Sequence, residues 1–397
     1  MTDTTPEDLK DLFRTVFHAD PDAFSHAPGR VEILGNHTDY NQGLVVSAAL
    51  SCRTGFAGRK NNTETIRVYS KEFEETAEFD IDNPGKATGH WSDYLKGVAT
   101  EFPQRDLPLS GLDAVLDSSV PPSSGLSSSA ALEVGFAELI KACFKLELSP
   151  IDTAKLCRSA ENNFVGMNCG ILDQFSSIFG RKGQLIRLDC RDLSHELLPF
   201  DFSDICLVIC NTGVKHNLID SKYNTRFQEC REAVRFLDRY ISGGIRSLRE
   251  VTPEQLTPLR EKVPDNLYRR ALHVAGENQR VFRLTSALKS RDLSALPEIF
   301  SSSHRSSEVN FENSCRELDV LVESAGTQEG VAGSRLTGGG FGGCTLNIVQ
   351  RKRVETFIAN ITNLYREKTG NTVEAYVFET GNGACSGDNA HCAPAGG

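Results

Sequence analysis

One run, Pro121-Pro122-Ser123-Ser124-Gly125-Leu126-Ser127-Ser128-Ser129-Ala130-Ala131, constrains this chain more than any other. Leu112 to Val120 before it reads as a strand. Ala131, Leu132, Phe136, Leu139, Ile140 and Cys143 after it recur at helical spacing, so the run is a strand-to-helix turn. A helix begins with backbone N–H groups that lack partners in the helix, and its aligned peptide dipoles place partial positive charge there, so a polyanion can complete it. Gly125 lets a ligand approach the backbone, and the serine hydroxyls add donors or a metal ligand. From these residues alone two readings stand side by side, a phosphate-binding loop or a serine-rich linker ahead of a capped helix. The flanking strand, the paired prolines and the apolar helix argue against free linker behaviour. It is not a Walker loop, because no Gly-Lys-Ser/Thr follows and Gly85-Lys86 runs into Ala87.

Such a turn needs cores to rest on, and 397 residues suffice for two. The chain is 39% hydrophobic and 24% charged, as ordinary globular proteins are. A net charge of -10 argues against a nucleic-acid partner and means that a nucleotide site here needs local compensation from a metal ion and arginines. No apolar run is long enough to span a bilayer, and Met1 to Asp8 is acidic and polar, the reverse of a signal peptide. A cytoplasmic enzyme acting as a monomer, with neither membrane nor nucleic acid as partner, is expected. The 12 cysteines are scattered without CxxC pairs through apolar stretches, and buried free thiols are expected.

Thr5-Pro6-Glu7 starts a first helix, with Leu9, Leu12, Phe13, Val16 and Phe17 on one face. Strands are expected over Ala27–Leu34, Gly43–Leu50 and Ile66–Tyr69, then a helix from Trp91 to Val98. The strand, serine loop and helix follow, then a helix over Ile151–Phe164 and a strand over Leu185–Leu188. A boundary is expected between Pro199 and Asp204, giving domains 1–200 and 201–380. The second half alternates strands (Ile205–Cys210, Cys344–Val349, Thr372–Phe378) with helices (Tyr223–Tyr240, Tyr268–Leu288, Phe311–Ser324, Val354–Glu367), an α+β pattern. Residues 381–397, rich in Gly and Ala without hydrophobic pattern, are expected to form a disordered tail.

Three ordered stretches resemble the motifs of the GHMP kinase family, and of its galactokinase branch in particular. Pro121 to Ala131 is similar to the family's nucleotide-binding motif. Ala27-Pro28-Gly29-Arg30-Val31-Glu32-Ile33-Leu34-Gly35-Asn36-His37-Thr38-Asp39-Tyr40-Asn41 resembles the galactokinase sugar signature, and Gly338 to Cys344 the third, glycine-rich motif. The resemblance implies a two-domain GHMP kinase fold. Its N-terminal mixed-sheet domain is ribosomal S5 domain 2-like, its C-terminal domain is ferredoxin-like α+β, and the active site lies between them. It implies ATP and galactose as substrates, Mg²⁺ as cofactor, and phosphorylation of the sugar's anomeric hydroxyl.

The resemblance also implies roles. Cys169-Gly170-Ile171-Leu172-Asp173-Gln174 is similar to the segment that holds the catalytic aspartate, so Asp173 is the candidate catalyst, Arg30 its charge partner and Gly170 a substrate contact. Phosphoryl transfer demands mostly positioning and neutralisation, which such a pair supplies. On pattern alone Asp173 reads equally as a helix N-cap. Ser123, Ser124, Gly125, Leu126, Ser127, Ser128 and Ser129 are the implied nucleotide contacts, with Ser129 and Glu161 the implied Mg²⁺ ligands. Without the resemblance Glu161 reads as a solvated helix position. His37, Asp39 and Tyr223 are implied sugar ligands, where pattern alone gives a polar turn and a packing tyrosine. Gly338 to Gly343 also fits G-x-G-x-x-G, but it leads into a strand and not a helix, which excludes the dinucleotide reading.

The signature departs from the family's usual Arg-x-Asn and Gly-Glu-His-Thr-Asp-Tyr. Glu32 stands in the asparagine position and Asn36 in the glutamate position, which the resemblance places at the C6 side of the sugar. Both are candidate substrate contacts. An amide there donates as well as accepts and carries no charge, so a galactose relative altered at C6, such as galacturonate, competes with galactose as the expected substrate. A non-catalytic sensor of sugar and ATP competes with the kinase reading, and a kinase for a non-sugar alcohol competes with the choice of a sugar.

Overall fold

The computed structural model describes residues 5–122, 125–214 and 219–387. Ser123 and Ser124 of the serine run lie outside the described residues, as does 388–397 of the expected tail.

The chain opens with helix α1 (Pro6–Phe17) and strands β1 (Ala23–Leu34), β2 (Leu44–Lys60), β3 (Thr65–Ser70) and β4 (Glu75–Asp80). Helix α2 (Ser92–Glu101), strand β5 (Leu112–Ser118) and helices α3 (Ser128–Phe144), α4 (Pro150–Ala160) and α5 (Leu172–Phe179) follow. Strands β6 (Gln184–Asp189), β7 (His195–Pro199) and β8 (Ile205–Asn211) lead to helices α6 (Ile219–Leu237), α7 (Pro253–Leu256), α8 (Asp265–Ser290), α9 (Leu296–Ser306) and α10 (Arg316–Gly326). Strands β9 (Val331–Thr337) and β10 (Cys344–Gln350), helix α11 (Val354–Thr369) and strands β11 (Glu374–Phe378) and β12 (Cys385–Gly387) complete it.

Packing sorts these elements into two compact units of interleaved segments. Unit one is Met1–Arg30, Ala49–Lys182 and Thr380–Gly397, and unit two is Val31–Ala48 and Gly183–Glu379. The division at residue 200 is a proposal about contiguous domains. Compactness follows long-range contacts, so it gathers segments that are distant along the chain.

In unit one α1 forms as its sequence dictates. Thr5 and Asp8 make a reciprocal capping box and Pro6 takes the first helical position. Its apolar face buries Leu9 and Phe13 with Ala57 and Val115, and Leu12, Val16 and Phe17 pack against them. The sheet is mixed: β5 runs parallel to β3 and antiparallel to residues Thr54–Lys60 of β2, and β3 pairs antiparallel with β4. No strand is expected over β4 because only Ala77 and Phe79 alternate inward.

The C-terminal stretch corrects an expectation. Residues 381–387 are placed against the rest of unit one, with β12 paired antiparallel to Phe24–His26. The Gly381 and Gly383 amides donate to Ala49 O and Gly180 O at 2.8 Å each. A Cβ at Gly383 would meet Ile178 O at 2.0 Å, so this approach requires glycine. Side-chain patterning cannot see a segment held through its backbone.

In unit two the first part of β2 (Leu44–Ser47) pairs with β6, and β6 with β7. A separate antiparallel sheet has the order β11-β8-β10-β9. Cys206, Val208 and Val349 from this sheet pack on Leu321 and Ala325 of α10 and Phe357, Ile361 and Tyr365 of α11. A second core joins Cys230, Ala233 and Leu237 of α6 to Leu267, Ala271 and Val274 of α8 and to Phe311. Phe311, expected at the start of a helix, instead ends a wide π turn (Ser307–Phe311) that extends α9, and α10 starts at Arg316.

Cys157, Cys206, Cys210 and Cys230 are buried free thiols, as expected. No helix among the described residues is long and apolar enough to cross a membrane.

Candidate active site

In unit one, Arg30 on β1 meets Asp173 in the first turn of α5. Ile171 takes the N-cap position of that helix without a side-chain cap, so Asp173 is not the cap that pattern alone allows. Arg30 Nε donates to Asp173 Oδ1 at 2.7 Å and Nη2 to Oδ2 at 2.6 Å, a bidentate pair. The third guanidinium nitrogen, Nη1, donates to Gly125 O at 2.7 Å, and the Arg30 amide donates to Leu126 O at 2.9 Å. The Arg30 side chain is 7% exposed and that of Asp173 26%, so the cation is sealed while the carboxylate can be reached.

The serine turn is organised around the same carboxylate. The Ser127 hydroxyl donates to Asp173 Oδ2. Ser127 is left-handed, with φ 53° and ψ 58°, and no side chain caps α3. A linker ahead of a capped helix would spend a serine hydroxyl on the helix start; Asp173 takes the Ser127 hydroxyl instead, and the first-turn amides of α3 are without a side-chain cap. Leu126 is buried beneath the turn, while Ser128 and Ser129 are half-buried and Gly125 is exposed.

Glu161 starts a π turn (Glu161–Val165) that continues α4, and it is buried, not solvated. Its Oε2 accepts from Gln174 Nε2 at 2.7 Å and from Cys169 Sγ at 3.2 Å. Gln174 Nε2 also donates to Glu133 Oε2 at 3.0 Å. Burial, then the nearby Asp173 charge, pushes Glu161 up to about 7. Burial and the neighbouring Glu161 raise Glu133 well above the usual carboxylate range, and Glu133 Oε1 has no hydrogen-bond partner among the described residues. These hard oxygen donors fit a divalent cation that takes only one or two protein ligands, and no group of three or more His, Cys, Asp or Glu side chains that could hold a metal ion occurs among the described residues. Ser129 and Glu161 share no hydrogen bond among the described residues. Gly170 is buried in the link just ahead of α5. Sequence reading misses Glu133, although an acid on the apolar helix α3 is a signal of buried chemistry.

In unit two the signature turn is anchored from several sides. The Gly35 and Asn36 amides both donate to Glu277 Oε2 at 3.0 Å, and Asn36 O lies 3.0 Å from His273 Nε2. Burial pushes Glu277 up, but the opposing Arg280 and Arg335 charges prevail and hold it far below the usual range. Burial lowers His273 to about 4, which keeps the ring neutral, and it donates to Asn36 O.

His37 is engaged within the protein. Its Nδ1 lies 2.9 Å from Tyr40 Oη and its Nε2 3.0 Å from Gly339 O, and burial lowers its pKa to about 3. The neutral tautomer that satisfies both neighbours donates from Nε2 and accepts at Nδ1. Its ring stands 5.1 Å from that of Tyr223 and 4.5 Å from that of Phe311. The structure thus brings His37 and Tyr223 together in one aromatic cluster, where His37 is a wall and not a free imidazole. Asp39 opens the next turn (Asp39–Asn41) and is half-buried.

Glu32 and Asn36 are also together. Asn36 Nδ2 donates to Glu32 Oε1 at 3.1 Å, to Glu32 Oε2 at 3.2 Å and to Gly338 O at 2.7 Å. Its Oδ1 accepts from Asn313 Nδ2 at 2.8 Å. Glu32 Oε1 accepts from Arg335 Nη1 at 3.0 Å. His273, Glu277, Asn313 and Arg335 are missing from the expected site residues; only His273 and Glu277, polar residues at helical spacing on the buried side of α8, leave a trace in the sequence.

Comparison with known proteins places these halves in one lineage. Residues 11–60 match the galactokinase galactose-binding signature, 93–181 the GHMP kinases N terminal domain and 284–367 the GHMP kinases C terminal model. The chain is 37% identical to a galactokinase of Roseiflexus sp. (strain RS-1), over 95% of this chain and 96% of the relative. It is 38% identical to a galactokinase of Fusobacterium nucleatum, over 97% and 99%. The structure of Lactococcus lactis galactokinase complexed with galactose superposes with a TM-score of 0.91 at 33% identity, covering 94% of this chain and 98% of that one. Methanococcus jannaschii mevalonate kinase, at 15% identity and a TM-score of 0.63 over 90% of this chain and 98% of that one, shares the fold. Near-full-length identity together with the bidentate Arg30–Asp173 pair leads to one conclusion: the chain belongs to the galactokinase family of GHMP kinases.

Proposed function

We propose that this protein transfers the γ-phosphoryl group of ATP to the anomeric C1 hydroxyl of D-galactose, giving galactose 1-phosphate and ADP. The observation that carries the reading is the Asp173 carboxylate, held on both oxygens by Arg30 yet open to approach. Two guanidinium nitrogens and the Ser127 hydroxyl converge on it, which fixes its aim. Asp173 accepts a hydrogen bond from the C1 hydroxyl and receives its proton as the γ-phosphoryl arrives. Arg30 holds Asp173 in a fixed orientation and balances charge that gathers at the reacting centre.

ATP is assigned to the turn Ser123–Ser129, with the first amides of α3 as phosphate donors. Ser129 and Glu161 are the proposed Mg²⁺ ligands, and the ion when bound neutralises the phosphate oxygens. Asp39, Tyr223 and Gly170 are the proposed sugar contacts, with the His37 ring as backing.

The test is sugar-dependent ADP release with mass detection of the sugar phosphate, run on galactose, galacturonate and N-acetylgalactosamine. Galactose is expected to have the highest kcat/KM. A preference for galacturonate would overturn the choice of substrate, and ATP binding without any sugar-dependent turnover would favour a sensor.

A further inference from the structure

Asn36 has no polar atom to spare. Its amide nitrogen donates to both Glu32 oxygens and to Gly338 O, and its amide oxygen accepts from Asn313. Its backbone N–H reaches Glu277 and its carbonyl His273. The residue is 1% exposed. A side chain so engaged offers nothing to a sugar hydroxyl.

The partners of Asn36 are informative. Gly338 and Asn313 belong to the glycine turn and its support: Asn313 Nδ2 also donates to Gly339 O at 3.2 Å, and Asn313 O accepts from the Phe341 amide at 2.6 Å. Gly340, at φ +78°, passes so close that a Cβ there would lie 2.1 Å from Asn313 O. Thr337 Oγ1 donates to Glu32 O at 2.9 Å, and Arg335, with no exposed surface, relies on Glu32 for a hydrogen-bonded counter-charge. Glu32 and Asn36 thus bind the first motif to the third.

The geometry points to Glu32 and Asn36 as a positioning pair, not as sugar ligands: together with Arg335 and Asn313 they lock the signature turn onto the glycine turn, and so fix how unit two presents Asp39 and Tyr223 to the sugar. The departure from the family pattern then has a physical account. The two exchanged residues touch each other, so the exchange keeps one carboxylate and one amide in the same buried contact. The inference rests on the galactokinase reading, and it removes the reason to expect a C6-altered substrate.

A double-mutant cycle tests it. Glu32→Gln removes the carboxylate to which Arg335 is hydrogen-bonded, leaving it only the charge of nearby Glu277, and Asn36→Asp sets a second carboxylate against Glu32. Each single variant is expected to raise the galactose KM about tenfold while the ATP KM stays within about twofold, and the swap Glu32→Asn/Asn36→Glu to recover to within about threefold of wild type. Asn313→Ala, which removes only the supporting amide, is expected to move the galactose KM in the same direction. Asn36→Ala is expected to lower kcat/KM for galactose and for 6-deoxygalactose by the same factor.

A swap as impaired as the two single losses combined, or a changed ratio between the two sugars, would overturn the inference. So would singles that lower the melting temperature with the galactose KM unmoved. If wild type shows no turnover of galactose, the activity reading fails. The same cycle read by melting temperature then decides the pair on its own, since recovery in the swap shows coupling and additive loss refutes it.

Discussion

Two arginine–carboxylate contacts in this molecule look alike on paper and differ in use. Arg30–Asp173 leaves its carboxylate 26% exposed, whereas Arg335–Glu32 is closed, with side chains 0% and 5% exposed. The first sits beside a helix start that lacks a side-chain cap, and the second links strand β1 to strand β9, next to the Asn36–Gly338 contact between the two turns. A buried ion pair is costly to break and contributes little beyond its own desolvation, so the closed pair is best understood as a fastener. The open pair keeps a carboxylate aimed and reachable, which is what phosphoryl transfer requires.

The comparison breaks first at Asp173. Asp173→Ala is expected to lower kcat about 10³-fold, the scale of a lost acid–base group, with the protein still folded and ATP affinity nearly unchanged, and to lower the melting temperature because the sealed Arg30 loses its partner. Steady-state ADP release checks it, and substantial remaining activity would refute the assignment. Arg30→Lys keeps the charge but loses the fork, and kcat is expected to fall about 10²-fold. Ser127→Ala removes one donor to Asp173, for an expected loss of about tenfold in kcat. Neither change should alter the galactose KM as much as the Glu32 and Asn36 variants do.

The smallest effect is on pH. His37 is lowered to about 3 and His273 to about 4, both through burial, from ordinary values of 6.5. Above about pH 6.5 these rings are neutral folded and unfolded and stability is indifferent to them. As pH falls below 6.5 the unfolded chain binds the protons first, so stability is lost progressively toward pH 3 to 4. Thermal melts between about pH 7.5 and 4.5 should show this decline, with a shallower slope in His37→Phe. An identical slope would mean that the imidazole stays accessible to protons.

Legibility in the sequence follows range. Helix α1 is readable because Thr5, Pro6, Asp8, Leu9 and Phe13 act within one or two turns. The strand, serine turn and helix are equally local, and Arg30 and Asp173 stand out through the motifs around them. Glu277 and His273 share one face of α8 with Arg270, Val274 and Val281, and such a polar stripe on a buried face is a signal that sequence reading can use. Arg335 and Asn313 carry no such signal, since only folding brings them to residues about 300 positions away. The roles of His37 and Asn36 are hidden for the same reason: the motif gives the residue type, and only the structure shows which polar atoms are already taken.

The claim at the centre is chemical, and ³¹P NMR of wild-type protein with ATP, Mg²⁺ and galactose tests it most directly. A sugar-phosphate signal coupled to the anomeric proton, growing in step with ADP, is the predicted result. Phosphate at another hydroxyl, or ADP rising with inorganic phosphate alone, would contradict it.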